Sequence, residues 1–333
     1  MTRKLKYLMV IPGKTIPNEI KECLEEQPHR SGLYNWIFAF QGNYGTYWEY
    51  ENDLEKFDVV QINMSPKDMI IVPTLRRKLK GSSTKLVLNN DYVCEKWGDW
   101  GLNPHYYKDI QRLGDMVFST ESHQVSNMID GTATLPHPSN TEILKHLGTS
   151  QSEDSVGFIY HWWAGQSYIP YLNIERVKEK HKVAKSAVFG YSMSKLNQMH
   201  KWVGAMFDEE VPLLDFPTFA QRIMAEKCIY DPNPFHTYGR NGVELACFKR
   251  PVVGSNRVFS YNKLFPELTC DPYDRHDTMK KFDLAFSSKV DAILDKAYEE
   301  VEYFNYKNSK ERYLAALDEA TDRGGYEWFQ KQR

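Results

Sequence analysis

A chain of 333 residues with a formal net charge of −2 has no overall attraction for nucleic acid or for an anionic membrane surface. Its 41% hydrophobic and 26% charged residues are the balance of a globular protein with apolar material for two cores of ordinary size. Its cysteines, Cys23, Cys94, Cys228, Cys247 and Cys270, are widely spaced and form no C-x-x-C pair, which argues against a disulfide framework and a zinc site and fits a reducing compartment.

The N-terminal stretch MTRKLKYLMVIPGK is basic, but its apolar run stops at Ile11. That is too short for a signal peptide, and no later run has the length of a membrane span, so a cytoplasmic location is expected. Tyr7–Ile11 is the first strand expected, with Gly13 in the loop that follows it. Further strands are expected at Val59–Asn63, 85–88, 115–119 and 132–135, with helical patterns between them. One such helix spans 66–79, with Ser65 as N-cap and Pro66 at its first position. Its basic end, Arg76, Arg77, Lys78 and Lys80, continues into Lys85; this is either a solvated helix end or an attractor for a polyanion such as DNA. Asp91 opens an aromatic loop carrying Tyr92, Trp97 and Trp100, where it serves either as a turn cap or as a binder of an acceptor or sugar hydroxyl.

The polar stretch 147–155 has no apolar period and is the expected linker. A second strand set follows at 156–160, 185–190, 211–215, 227–231 and 250–254. Phe216, next to Asp215 and Pro217, is either a core aromatic or a platform for a base. After Asp277 the chain reads as helix, with Phe282, Phe286, Val290, Ile293, Leu294, Ala297 and Val301 on one continuous face. A last helix is expected over 309–320, around Tyr313, Leu314 and Leu317. Alternating strands and helices in two sets predict an α/β protein with two Rossmann-like domains.

The run PFHTYGRNGVELACFKRPVVGSN, starting at Pro234, is the most informative stretch. It reads as a loop, a helix start and a buried strand led by Pro251. A helix start carries unpaired N–H groups and a partial positive charge, which together attract phosphate. Gly239 and Gly242 would let a ligand approach the backbone, and Arg240, flanked by Tyr238 and Asn241, would add a phosphate contact. Glu244 is acceptor-only and is suited to a ribose diol, or else to complementing the helix dipole. His236 is either an ordinary loop histidine or a donor to a sugar hydroxyl or phosphate oxygen.

In order and spacing, Tyr238-Gly239, Glu244-Leu245-Ala246 and Pro251-Val252-Val253-Gly254 resemble the donor-site motif of retaining GT-B glycosyltransferases. In that family the motif's second glutamate holds the ribose and helix-start amides hold the diphosphate, which implies those roles for Glu244 and for Gly239, Arg240, Asn241 and Gly242. The motif's first glutamate falls on His236 here. Weaker likeness covers 9–13, where Gly13 sits in the opening glycine loop, and Ser31-Gly32, where relatives place glycines facing the donor phosphates. It also covers 115–119, the turn Leu135-Pro136-His137-Pro138, and 269–274 as the loop after the final strand.

The resemblance implies a GT-B fold: two Rossmann-like domains facing a cleft, with C-terminal helices crossing back to the first. The expected domains are 1–148, joined by 305–333, and 149–304. It implies transfer from a nucleotide-diphosphate sugar, expected to be a UDP-sugar, to an unidentified acceptor (a glycan, a small molecule or DNA). His236 and Asp91 are the catalytic candidates; donor binding falls to Gly13, Ser31, Gly32, Phe216, Tyr238, Gly239, Arg240, Asn241, Gly242 and Glu244. No Asp-x-Asp, HExxH, GxSxG or P-loop pattern occurs, so no metal and no other cofactor is expected. Three alternatives stay open: a phage-type DNA glucosyltransferase, a nucleotide-sugar epimerase, and a non-catalytic sugar-binding or regulatory protein.

Overall fold

All five residues of β1 (Tyr7–Ile11) are apolar and buried, as a parallel strand covered on both faces requires. The computed structural model describes residues 5–13, 34–64, 68–91, 93, 95, 98, 101, 103–147, 154–160, 171–191, 207–212 and 214–331. With β1, the strands β2 (Asn43–Thr46), β3 (Val59–Asn63), β4 (Lys85–Asn90), β5 (Met116–Ser119) and β6 (Ala133–Thr134) form a parallel sheet ordered β2-β1-β3-β4-β5-β6. A second parallel sheet contains β7 (Ser155–Ile159), β8 (Lys185–Tyr191), β9 (Glu209–Pro212), β10 (Cys228–Asp231), β11 (Val252–Ser255) and β12 (Thr269–Cys270). Its order is β12-β11-β10-β7-β8-β9.

The chain divides into two compact units, Met1–Asn140 with Phe304–Arg333, and Thr141–Tyr303. The helix Thr141–His146 belongs to the second unit, where Thr141 Oγ1 donates to Glu302 and Lys145 pairs with the same carboxylate. The first unit has an apolar cluster on each face of its sheet. Leu8 and Val10 of β1 pack on one side with Val72, Leu75 and Tyr107, while Tyr7 and Met9 pack on the other with Trp36, Phe40 and Tyr313. The ring of Tyr313, on the helix Tyr306–Asp322, lies 5.0 Å from that of Trp36 and 4.9 Å from that of Phe40, so these rings build core. Its hydroxyl donates to Gln61 Oε1 at 3.0 Å, and both residues are fully buried.

Several elements differ from expectation, each for a local reason. β2 reads NYGT, too short and polar to register as a strand. β12 has two residues and lies where a loop was expected after the final strand. β9 starts two exposed glutamates earlier than the expected strand and ends at Pro212; charge on an edge strand hides it from a hydrophobicity reading. Asp215, expected in that strand, instead caps the helix Phe216–Ala225, accepting from Thr218 N at 3.0 Å. The expected helix 66–79 is a 3-10 turn, Asp68–Ile71, followed by the helix Val72–Lys78; the proposed cap at Ser65 and Pro66 lies outside the described residues. The single late helical face is broken into Arg275–Ala285 and Val290–Glu300, because Ser287 turns its hydroxyl onto Leu284 O at 2.8 Å and closes the first helix. Among the described residues no helix is long and apolar enough to cross a membrane.

Candidate functional site

In the second sheet, β7 and β10 are neighbours, and the chain winds outward from them in opposite directions, to β9 on one side and β12 on the other. That is a topological switch point, where open α/β sheets gather ligands beyond the carboxyl ends of their strands. β10 ends at Asp231, and the loop that follows leads into the helix Arg240–Cys247. This loop is held on the chain following β11. Arg257 donates to Pro234 O at 2.7 Å, Phe259 N to Thr237 O at 2.9 Å, and Ser260 N to Tyr238 O at 3.0 Å. Tyr238 is buried and His236 half-buried within this loop.

Gly239 enters the helix with φ 73°, in the left-handed region that favours glycine. A Cβ on Gly239 would lie 2.0 Å from Val258 Cγ1, and one on Gly242 would lie 2.2 Å from Ser260 Oγ. The expectation that these glycines open space for a ligand is therefore corrected: the chain's own Val258 and Ser260 fill that space, and the missing side chains serve packing. Their neighbours' amides are a separate matter. Gly242 N donates to Gly239 O at 3.1 Å, but among the described residues the main-chain N–H groups of Arg240 and Asn241 have no protein acceptor. Two donors at a helix start remain able to hold an anion.

One turn later stands Glu244, only 2% exposed. Its Oε1 lies 2.6 Å from Arg240 Nε, while Oε2 is buried without a hydrogen-bond partner among the described residues. Burial pushes its carboxyl above the usual carboxylate range, and the Arg240 charge opposes that rise. The Arg240 guanidinium also lies 5.8 Å from the ring of Phe216, which is buried at the start of its own helix. Asn241 Nδ2 donates to Asp231 Oδ2 at 3.4 Å, and the Tyr261 hydroxyl donates to the same oxygen at 2.5 Å. Burial, then the Asp231 carboxylate, pushes the Tyr261 phenol well above its ordinary value. Asp231, Tyr261, Val258 and Ser260 fix this helix start, and the sequence reading assigned none of them a role. The available signal was an acid closing the otherwise apolar, buried strand CIYD.

In the first unit Asp91 follows β4 directly, at the carboxyl end of the strand. Its Oδ1 accepts from Thr120 Oγ1 at 3.3 Å and lies 3.0 Å from Nε2 of the buried His137. Thr120 follows β5 and His137 follows β6, so three adjacent strand ends converge on one carboxylate. His137 is the partner that the sequence reading missed; it appeared there only as part of a Pro-His-Pro turn. Gly13 is exposed just beyond β1. Ser31 and Gly32 lie outside the described residues, as do Tyr92, Trp97 and Trp100.

No protein-family model matches the chain, and no curated protein matches it in sequence. Solved structures do. Trehalose-6-phosphate synthase OtsA superposes with a TM-score of 0.68 at 9% identity, covering 94% of this chain and 99% of that one. HepE from Anabaena, solved in complex with UDP, gives 0.67 at 10% identity, covering 95% of this chain and 100% of that one. A UDP-forming trehalose-phosphate synthase from Burkholderia xenovorans gives 0.65 at 9% identity, covering 96% and 99%. Likeness at so low an identity carries the architecture, and with the two doubly wound parallel sheets it shows that the chain has the GT-B fold.

Proposed function

We propose that the protein is a glycosyltransferase that moves a sugar from a nucleoside-diphosphate donor, a UDP-sugar, to an acceptor hydroxyl with retention of anomeric configuration. The observation that carries this reading is the helix start at the β7/β10 switch point. Among the described residues, it joins two unpaired amides, at Arg240 and Asn241, to a buried carboxylate oxygen without a partner, on Glu244. These groups suit the two ends of a nucleoside diphosphate: donors and positive charge for the pyrophosphate, an acceptor for the ribose diol. The fold supports the reading, as does the binding of UDP by HepE, which has also been solved with UDP and glucose.

In this reading Arg240 passes from Glu244 to the diphosphate as the donor binds, freeing both carboxylate oxygens for the ribose hydroxyls. The bond between the sugar's anomeric carbon and the β-phosphate oxygen breaks, the acceptor oxygen bonds to that carbon on the same face, and the acceptor proton goes to the departing phosphate. Helix-start amides and Arg240 stabilise the charge that develops on the leaving group. His236 contacts the sugar or its phosphate. Asp91, steadied by His137, takes an acceptor or sugar hydroxyl. These groups neutralise the diphosphate without a metal, so activity is expected to survive chelation with EDTA.

Glu244→Ala should weaken UDP binding strongly in titration calorimetry while leaving the fold intact by circular dichroism. Incubation with UDP-sugars should release UDP. Unchanged affinity in the variant removes the central assignment, and formation of an epimer without UDP release replaces transfer with isomerisation.

A further inference from the structure

Arg76 and Arg77 of the helix Val72–Lys78 and Lys80 of the turn after it line a pocket of about 450 Å³ in the first unit. It lies where β4 and β5 begin, with Lys85 and Asp115 in its wall, at the opposite end of β4 from Asp91. One wall is ordered by Asp115, which accepts from Leu86 N at 2.8 Å and from Arg76 Nη2 at 2.6 Å. The Arg76 guanidinium lies 4.7 Å from the centroid of the Tyr326 ring, and Tyr326 N reaches Asp115 at 3.4 Å. Asp115 thus neutralises Arg76 and ties together segments distant in sequence.

The remaining charges are not balanced. Arg77, Lys80 and Lys85 also line the pocket, and among the described residues none of them pairs with a carboxylate. Glu327 is the one other acid in the lining. Gly81, with φ 85° and open space where a side chain would be, turns the chain between Lys80 and Lys85 so that both face one concavity. Among the described residues, three cations thus border one concavity with a single unneutralised acid beside them.

We propose that this pocket binds a small anion bearing two or more phosphate groups. The volume suits a small ligand, and a surplus of cations in a concavity attracts multiply charged anions with little need for base or sugar recognition. A duplex nucleic acid would instead need cations spread along an open face. The proposal does not depend on the donor site, because every residue it uses lies in the first unit.

The probe is inorganic triphosphate, titrated calorimetrically into the full chain carrying Arg240→Ala, so that the second unit's helix start contributes little. Saturable binding is expected, weakened about tenfold by Lys80→Ala or Lys85→Ala, the loss of one charge-assisted contact. Glu327→Gln should tighten it, a gain that misfolding cannot produce. Absence of binding, or binding indifferent to all three substitutions, overturns the proposal. So does duplex DNA binding more tightly than triphosphate through the same lysines.

Discussion

Glu244 is held almost out of water with a single cation against it, and its protonation is therefore linked to folding. Because its pKa is raised in the folded state, the native protein holds this proton more firmly than the unfolded chain does. Its contribution to stability is fully present below the unfolded pKa and is lost as pH rises through the folded one. Wild type should therefore gain melting temperature relative to Glu244→Gln between about pH 8 and about pH 5. A difference that stays flat, or moves the other way, contradicts the burial. Gly239 permits a second residue-level test. Ala there meets both the left-handed φ and Val258, and should cost on the order of 1–3 kcal/mol by thermal or urea unfolding. Gly81→Ala has the same sign of φ but open space, so about 1 kcal/mol is expected and the ranking of the two is the check. That Arg240 and Glu244 stand near a helix start was legible from residue type and helical spacing, but their pairing with each other was not foreseen. Asp231, Tyr261 and His137 were not legible, because their contacts join strand ends and loops that only the folded sheets bring together.

Strands covered on both faces are the elements that a sequence displays best, since most of their residues are apolar. β1 and β3 were found with their observed bounds for that reason. β2, β9 and β12 escaped or shifted because edge strands need less burial and carry polar or charged residues. The helix Tyr306–Asp322 shows the other limit: its periodicity revealed an apolar face, but not that Tyr313 reaches Gln61 in the middle of the sheet. Tyr313→Phe should cost about 1–3 kcal/mol by leaving a buried Gln61 acceptor unmet. Tyr313→Ala, which also opens a cavity among Trp36, Phe40 and Phe118, should cost about 3–5 kcal/mol. Urea denaturation followed by tryptophan fluorescence reads both; an unchanged stability in Tyr313→Phe would show that the hydroxyl contact contributes nothing, and equal losses that the ring does not.

For the whole molecule, the decisive property is that each unit has its own sheet while the first is completed by the end of the chain. Tyr313, Leu317 and Ala320 enter the cluster on one face of the first sheet, and Phe329 enters the cluster on the other. Removing the segment from Phe304 onward therefore strips both cores of the first unit and leaves Thr141–Tyr303 with every strand of its sheet. Hydrogen exchange on such a truncated chain should show protection lost across β1 to β6 and kept across β7 to β12. The unit 141–303 also holds Arg240, Asn241 and Glu244, so the excised unit should still bind UDP and should lose that binding on Glu244→Ala. Retained protection in β7 to β12 without UDP binding would mean that the helix start at Gly239 is an ordinary structural turn. Loss of protection in both sheets would mean that the two units fold as one.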